Sequence, residues 1–448
     1  MRRFDVFSLK SAVLGLTFLM LAGSCSKEET PTTPTNLSDQ VDSKIAQEWS
    51  SLAVTIVKDA PGFVAPVAAR SFAYLSMGLY LTSSYGNPAY SSFTRNLEGI
   101  DQIKMPSLIS GGQIDWNQAT NEMCYHLIKA LYRSIPAANN KMIEDLYLNS
   151  AASYDAQAST ETKERSRDLG VKMAEAVYAY SKTDGQDEAF VNNYPNNFKI
   201  PEGAGVWSPI NTAGKKPLLP YWGSVRTFSN LTNVEIVDAT PPQFSEEKNS
   251  EMYAYALEVR NRTFNLNYEE ETVVKYWNDD QKNGITTPGH MLLLTLNLIK
   301  QENKSLPEAS AILMKVTMAM HDAIVTSWKT IFTYNTVRPE NYIRNNIDPR
   351  FISLVNTPAT PEFCSAQASI ASAAAEVLGS IFGYNYSFTD ATHFYRKDID
   401  GNPRTYRNFT QMAEEIALSN LYGGINYRFS LEAGLKQGSE VGRLVSNL

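Results

Sequence analysis

Apolar side chains recur at intervals of three and four residues along most of this 448-residue chain. From Ser38 onward the recurring positions are Val41, Ile45, Trp49, Leu52 and Ile56. This interval places the apolar side chains on one face of an α-helix. Because no linker or internal repeat divides residues 38–448, we predict one all-α domain with long connecting loops, divided into halves at 38–245 and 246–448.

Further helices are predicted where the same periodicity continues. They cover residues 67–84, 116–134, 160–181, 246–261, 287–300, 306–333 and 363–382. Thr410 is expected to cap the next helix, and Ser430 is expected to begin the last one. Gly434, Gly438 and Gly442 lie at every fourth position of that last helix, which favours close approach of a neighbouring helix.

A region without helical periodicity covers residues 184–243 and is rich in Asn, Pro and Gly. Such a segment is longer than connections usually are. We therefore expect it to pack across a face of the helical domain.

The first 24 residues have the composition of an export signal. Arg2 and Arg3 precede an apolar run over 12–22 that is too short to span a bilayer as a mature helix. The segment ending at Cys25 (LAGSC) resembles a bacterial lipobox, although its Leu lies four residues before the Cys rather than three. The Ser-Lys-Glu-Glu that follows resembles the export signal of surface lipoproteins in Bacteroidetes-type bacteria.

We therefore predict a signal peptide over 1–24, lipidation at Cys25 and an extended tether over 25–37. The protein is expected to be an outer-membrane lipoprotein exposed at the cell surface, with the membrane as one partner through its lipid anchor. The alternative is a secreted protein in which Cys25 is incidental.

Charge and cysteine content exclude some classes of protein. Cleavage before Cys25 would change the formal net charge from −7 to −9, and an acidic surface argues against a nucleic-acid partner. The remaining cysteines, Cys124 and Cys364, do not make a disulfide framework, and both are expected to be buried.

Three segments in the last third of the chain carry the main functional signal. They are residues 328–339 (WKTIFTYNTVRP), 360–369 (TPEFCSAQAS) and 419–434 (SNLYGGINYRFSLEAG). Their spacing resembles the soluble bacterial branch of the vanadium-dependent haloperoxidase and type 2 phosphatidic acid phosphatase superfamily. The resemblance covers about Val64 to the C-terminus and implies two packed helical bundles.

The resemblance also implies a phosphate or vanadate site. In the family, that site consists of a Lys seven residues before an Arg-Pro, a Pro-Ser-Gly-His turn, and a Ser-Arg followed six residues later by a His. Here the Arg-Pro is Arg338-Pro339, and Ile331 occupies the lysine position. Lys329 is nearby but two residues out of register, about 200° away around a helix.

The other family positions are also changed. The turn is Cys364-Ser365-Ala366-Gln367, the Ser-Arg pair is Ser419-Asn420, and the final histidine position is Asn426. The amide of Asn426 cannot act as the family's nucleophile or vanadium ligand, and Gln367 has no proton to give as a general acid. Arg338 and Ser365 remain as anion-binding candidates. We expect no cofactor, because vanadate, the family cofactor, should not bind tightly.

The histidines and possible metal ligands give weaker signals. His290 could line the family cleft or form a local hydrogen bond, and His393 could reach the altered pocket. His321 and Asp322 are adjacent on a helix and cannot form a catalytic pair, so Asp322 is expected to be a buried acceptor. His126 is expected to be partly exposed. No metal site is predicted, because the histidines and cysteines show no short-spaced pair.

These observations favour a non-catalytic protein that binds an unknown small-molecule or protein ligand. The alternative is a phosphatase-like hydrolase or haloperoxidase-related enzyme that uses Arg338 and Ser365 with a relocated histidine. A third hypothesis is an assembly lipoprotein in which the fold is only a scaffold.

Overall fold

The computed structural model describes residues 34–90, 97–107, 111–154, 158–210, 216–230, 240–280 and 285–448. These residues form 13 α-helices and one small antiparallel sheet, which confirms the predicted all-α class. The predicted signal peptide, most of the tether and Cys25 lie outside the described residues.

The N-terminal half contributes five helices. They are α1 (Lys44–Asp59), α2 (Ala65–Ser83), α3 (Trp116–Leu131), α4 (Ala137–Tyr154) and α5 (Thr160–Lys182). Helix α2 begins with Pro66 in its first turn, where the missing N–H costs nothing, and is buried from that residue to its end. It packs against α3 and α5 and is the centre of the first bundle.

The C-terminal half contributes eight helices and the sheet. The helices are α6 (Glu251–Phe264), α7 (Tyr268–Tyr276), α8 (Thr287–Gln301), α9 (Leu306–Tyr334), α10 (Pro339–Asn346), α11 (Ala366–Phe382), α12 (Phe409–Tyr422) and α13 (Arg428–Ser446). Strand β1 (Phe388–Asp390) pairs with β2 (Arg404–Tyr406), with Thr389 opposite Thr405. The hairpin follows α11 and precedes α12.

Helix α9 joins the two bundles. It begins with a capping box between Ser305 and Glu308 and ends where Asn335 adopts a left-handed conformation, which asparagine tolerates better than most residues. It packs against α2 on one side and against α11 and α13 on the other. The predicted pair of packed helical bundles is therefore confirmed. Within the described residues, no helix is long and apolar enough to cross a membrane.

Several predicted boundaries were wrong because local capping decides where a helix starts. The first helix begins at Lys44, whose amide donates to Asp42, rather than at Ser38. Asn408, not Thr410, caps α12, and α13 begins at Arg428 rather than Ser430. Helices α4, α7 and α10 and the hairpin were not predicted.

The described part of the 184–243 region packs on the helices, as predicted. The backbone N–H groups of Phe228 and Ser229 both donate to the carboxylate of Asp322 in α9, and Trp222 is buried. Asp322 is thus the expected buried acceptor, and it anchors the loop to the longest helix.

The three spaced glycines of α13 bring it close to α11. A Cβ atom on Gly438 would lie 2.0 Å from the carbonyl oxygen of Ser369, and one on Gly434 would lie 2.4 Å from that of Ser365. Both distances are below van der Waals contact. The prediction that these glycines permit close helix packing is therefore confirmed.

We predict that Gly438→Ala destabilises the protein by about 1–3 kcal/mol, because the new methyl group must push α13 away from a backbone carbonyl. Urea unfolding of the variant measures this free energy. Lys436→Ala, at an exposed position of the same helix, is the matched control and should change stability by less than about 0.5 kcal/mol. Equal stability of the two variants would contradict the packing argument.

Candidate functional site

Most of the family positions lie around one cavity of about 830 Å³. Its lining includes six of those positions: Ile331, Arg338, Ala366, Gln367, Asn420 and Asn426. They come from the end of α9, the start of α10, the start of α11, the end of α12 and the loop before α13. Ser365 is not part of the lining.

Arg338 uses its guanidinium to bind the protein itself. Its Nε donates to the carbonyl of Thr360 at 2.9 Å, and its Nη1 donates to the carbonyl of Ile425 at 3.0 Å. Its Nη2 donates to the Thr360 hydroxyl at 2.8 Å and to the Pro361 carbonyl at 3.0 Å. The side chain is buried, and burial lowers the pKa of Arg338 to about 10.

Glu362 is a buried carboxyl group next to this arginine. It was not among the site residues predicted from the sequence. Its Oε1 accepts hydrogen bonds from the Asn426 side chain at 2.7 Å and from the Tyr427 backbone at 3.0 Å. Burial raises the pKa of Glu362 from 4.5 to about 7, although the charge of Arg338 and these hydrogen bonds oppose the shift. The available signal was an acidic residue within an otherwise uncharged motif segment.

Ser365, the other anion-binding candidate, uses its side chain within its own helix. Ser365 is the N-cap of α11, and its hydroxyl accepts from the backbone N–H of Ala368. Gln367 donates from its side chain to the carbonyl of Trp277 at 3.0 Å. Asn420 differs from these residues, because its buried Nδ2 has no hydrogen-bond partner within the described part of the chain.

Aromatic and acidic side chains complete the cavity. Trp207, Trp277 and Trp328 lie in its wall, together with Asp279 and Asp280. At the rim, the exposed Asn356 donates to Asp280 at 3.2 Å. Lys216 is also exposed at the rim and donates to Asn196. The cavity is therefore accessible to solvent, and the cations in its described lining are Arg338 and Lys216.

A buried cluster of histidines and carboxylates lies behind the wall at Asp279. His290 Nδ1 lies 3.2 Å from Asp279 Oδ1, and His290 Nε2 lies 2.8 Å from Asp390 Oδ2. Burial lowers the pKa of His290, but the two carboxylates outweigh burial and raise the pKa to about 10. One partner of His290 lies 11 residues away in the sequence and the other lies 100 residues away.

His393 belongs to the same cluster. It is 3% exposed, and its Nε2 lies 3.9 Å from Asp279 Oδ1. Burial and the charge on His290 lower the pKa of His393 to about 4. Neither histidine is in the cavity lining, but both contact Asp279, which is.

The spacing of the histidines and cysteines in the sequence did not indicate this group of potential metal ligands. Donor atoms of Asp279, His290 and His393 all lie within 4.8 Å of one another. The other histidines lie elsewhere. His126 is exposed beside Glu122, as expected, and His321 is buried in α9 with its Nε2 3.2 Å from the Arg226 carbonyl. Cys124 and Cys364 are free and buried, as predicted.

The raised pKa of Glu362 predicts a pH dependence of stability. The pKa of Glu362 in the folded protein, about 7, exceeds the ordinary value of 4.5. Its contribution to the free energy of unfolding is therefore fully present below pH 4.5 and is lost as the pH rises through 7. Wild-type stability should fall relative to Glu362→Gln across this window, with a slope of at most about 1.4 kcal/mol per pH unit. Urea unfolding of both proteins from pH 4 to 8 measures the difference, and parallel curves would contradict the prediction.

Comparisons with known proteins agree with this architecture. The family model described as the VCPO second helical-bundle domain matches residues 311–448. The crystal structure of a bacterial vanadium-dependent iodoperoxidase superposes with a TM-score of 0.79 at 25% sequence identity, covering 93% of this chain and 97% of that one. A search of curated protein sequences finds no significant match.

More distant structures show the same fold. The holo form of a bacterial vanadium-dependent chloroperoxidase superposes with a TM-score of 0.59 at 14% identity, over 94% of each chain. The apo form gives 0.59 at 13% identity, over 93% of this chain and 95% of that one. The family match over residues 311–448 and the superposition on the iodoperoxidase over nearly the whole length support a vanadium haloperoxidase superfamily fold for this chain.

Proposed function

We propose that this protein is a non-catalytic binding protein that uses the family cavity to hold a ligand other than vanadate or phosphate. The observation that carries the proposal is the set of hydrogen bonds made by Arg338. Its Nε, Nη1 and Nη2 donate to Thr360, Pro361 and Ile425. These bonds use four of the five N–H groups of the guanidinium, so a bidentate contact with an oxyanion would have to break a buried hydrogen bond, which is costly.

The other family positions also fit vanadate poorly. Ile331 offers no charge where the family has a lysine, and Asn420 offers a neutral amide where it has an arginine. Asn426 donates to Glu362, so the position of the vanadium-ligating histidine carries a donor that is already bonded. Two cations that face an anion at about 4 Å would each contribute roughly 4 kcal/mol before desolvation. Their absence supports loss of the anion site.

The cavity favours an uncharged or cationic organic ligand. Three tryptophans supply apolar surface with a polar edge, and Asp279 and Asp280 make the wall acidic. Among the described residues, the buried Nδ2 of Asn420 has no hydrogen-bond partner, so a ligand with a hydrogen-bond acceptor would satisfy it. A pocket of about 830 Å³ is within the size range of small-molecule sites.

The enzyme alternative has one observation in its favour. The iodoperoxidase, which matches over nearly the whole chain, is a vanadium-dependent enzyme. Against it, among the described residues Arg338 makes no hydrogen bond to Ser365 or to a histidine, and both ring nitrogens of His290 are already paired with carboxylates. An assay for iodide and bromide oxidation with vanadate and peroxide separates the two hypotheses.

We predict that the wild-type protein binds vanadate no more tightly than about millimolar, near −4 kcal/mol, and does not oxidise halides. The reason is that Arg338 is occupied and the other two cations are absent. Ile331→Lys, Asn420→Arg and Asn426→His combined should tighten vanadate binding at least about tenfold, or ~1.4 kcal/mol. Calorimetry on both proteins measures this.

The matched control lengthens the same side chains without adding charge: Ile331→Met, Asn420→Gln and Asn426→Gln. It should bind vanadate no better than the wild type. Micromolar binding or halide oxidation by the wild type would contradict the non-catalytic proposal.

The anchoring part of the proposal depends on Cys25 and the apolar run before it. Lipidation at this cysteine would hold the domain at the outer membrane, with the residues up to 37 as a tether. The cavity would then face the environment of the cell, where it would meet an extracellular ligand.

We predict that Cys25→Ala moves the protein from the membrane fraction to the soluble fraction, because a lipidated cysteine would be its attachment. Immunoblots of fractionated cells measure this change, and added protease should degrade the wild type on intact cells. Cys124→Ala, a change at a buried free cysteine, is the control and should stay in the membrane fraction. A membrane-bound Cys25→Ala variant would show that the protein is attached in another way.

A further inference from the structure

Three segments of the chain bring potential metal ligands to one buried point. Asp279 follows α7, His290 lies in the first turn of α8, and His393 lies just after β1. One donor atom from each lies within 4.8 Å of the other two. All three side chains are buried, so their positions are set by the fold rather than by solvent.

Two atoms of this cluster have no hydrogen-bond partner among the residues that the structure describes. They are Oδ2 of Asp279 and Nε2 of His393, and both are fully buried. A carboxylate oxygen and an imidazole nitrogen are both common zinc ligands. Buried polar atoms are normally paired, so these two point to a missing ligand.

The distances suit a small metal ion. Zinc bonds of 2.0–2.1 Å in a tetrahedral site place ligand atoms roughly 3.3 Å apart. His290 Nδ1 lies 3.2 Å from Asp279 Oδ1, which fits this geometry. His393 Nε2 lies 3.9 Å from the same oxygen, so a small rotation of one side chain would complete the set.

Asp390 supplies the support that metal-bound histidines usually have. It lies 2.8 Å from His290 Nε2 and accepts from the Tyr276 hydroxyl at 3.0 Å. A histidine that binds a metal through one nitrogen generally donates from the other to a carboxylate, which fixes its orientation. His290 has this arrangement, with Nδ1 on the side of Asp279.

The charges also require compensation. Asp279 and Asp390 are two buried carboxylates, and the ion pairs they make among the described residues are with histidines alone. A buried charge is costly unless it is paired or coordinates a metal. A divalent cation would displace the proton from His290 Nδ1 and would balance both carboxylates with the imidazoles neutral.

We propose that Asp279, His290 and His393 bind a divalent transition-metal ion of the zinc class, with Asp390 orienting the imidazole of His290. The site goes beyond the proposed ligand binding and does not depend on it. The metal would link the loop after α7, helix α8 and the loop after β1. Asp279 would be shared between the metal and the wall of the cavity.

Zinc binding to the full-length purified protein tests the proposal. After treatment with EDTA and dialysis, competition with a chromophoric chelator should show one equivalent of Zn²⁺ bound. Co²⁺ in the same site should give the absorption of a tetrahedral ion. The absence of stoichiometric Zn²⁺ binding by the wild type would overturn the proposal, whatever the variants do.

Variants locate the ion. His393→Ala should abolish the stoichiometric binding, and Asp390→Asn should weaken it about 10- to 100-fold. His126→Ala, at an exposed histidine of α3, is the control and should leave binding unchanged. Circular dichroism checks that each variant is folded. Unchanged affinity in a folded His393→Ala protein would overturn the assignment and leave the cluster as a metal-free network of carboxylates and imidazoles.

Discussion

The hydrogen bonds of Arg338 hold together three of the segments that surround the cavity. The guanidinium lies at the start of α10 and reaches Thr360, Pro361 and Ile425 on two other segments. A buried cation without these acceptors would be strongly destabilising, so the loops must keep their carbonyl groups in place around it. An arginine at the family position therefore does not by itself indicate an anion site. Here the same side chain maintains the shape of the cavity.

The helices around this arginine were largely predictable from the sequence, because the long ones carry a clear apolar pattern. Helix α9 was predicted to within one residue of its end at Tyr334. Helix α4 was missed because only Asn139, Ile143 and Ser150 of its residues are buried, so it shows almost no apolar stripe. Helices α7 and α10 are short, and short helices give too few turns for a periodicity to be recognised.

The positions of the residues around the cavity could be predicted from the sequence, but their hydrogen-bond partners could not. The motif segments placed Ile331, Arg338, Asn420 and Asn426 around one cavity, because the resemblance implied the arrangement of their helices. Whether an atom is free to contact a ligand depends on the hydrogen bonds that it makes within the protein. The spacing of residues in the sequence does not reveal those bonds. The cluster at His290 was missed for a related reason, since Asp390 lies 100 residues away and reaches it only because the β-hairpin folds back.

Trp277 connects the cavity to that buried cluster. It lies in the cavity wall, its carbonyl accepts from Gln367, and its ring stacks on His290 with centroids 4.6 Å apart. Its indole N–H donates to Glu415 at 2.8 Å, so the ring cannot move freely. A ligand that shifts Trp277 must therefore disturb the imidazole of His290. By thermodynamic linkage, if an ion at the cluster changes the affinity of the cavity for its ligand, the ligand changes the affinity for the ion by the same factor.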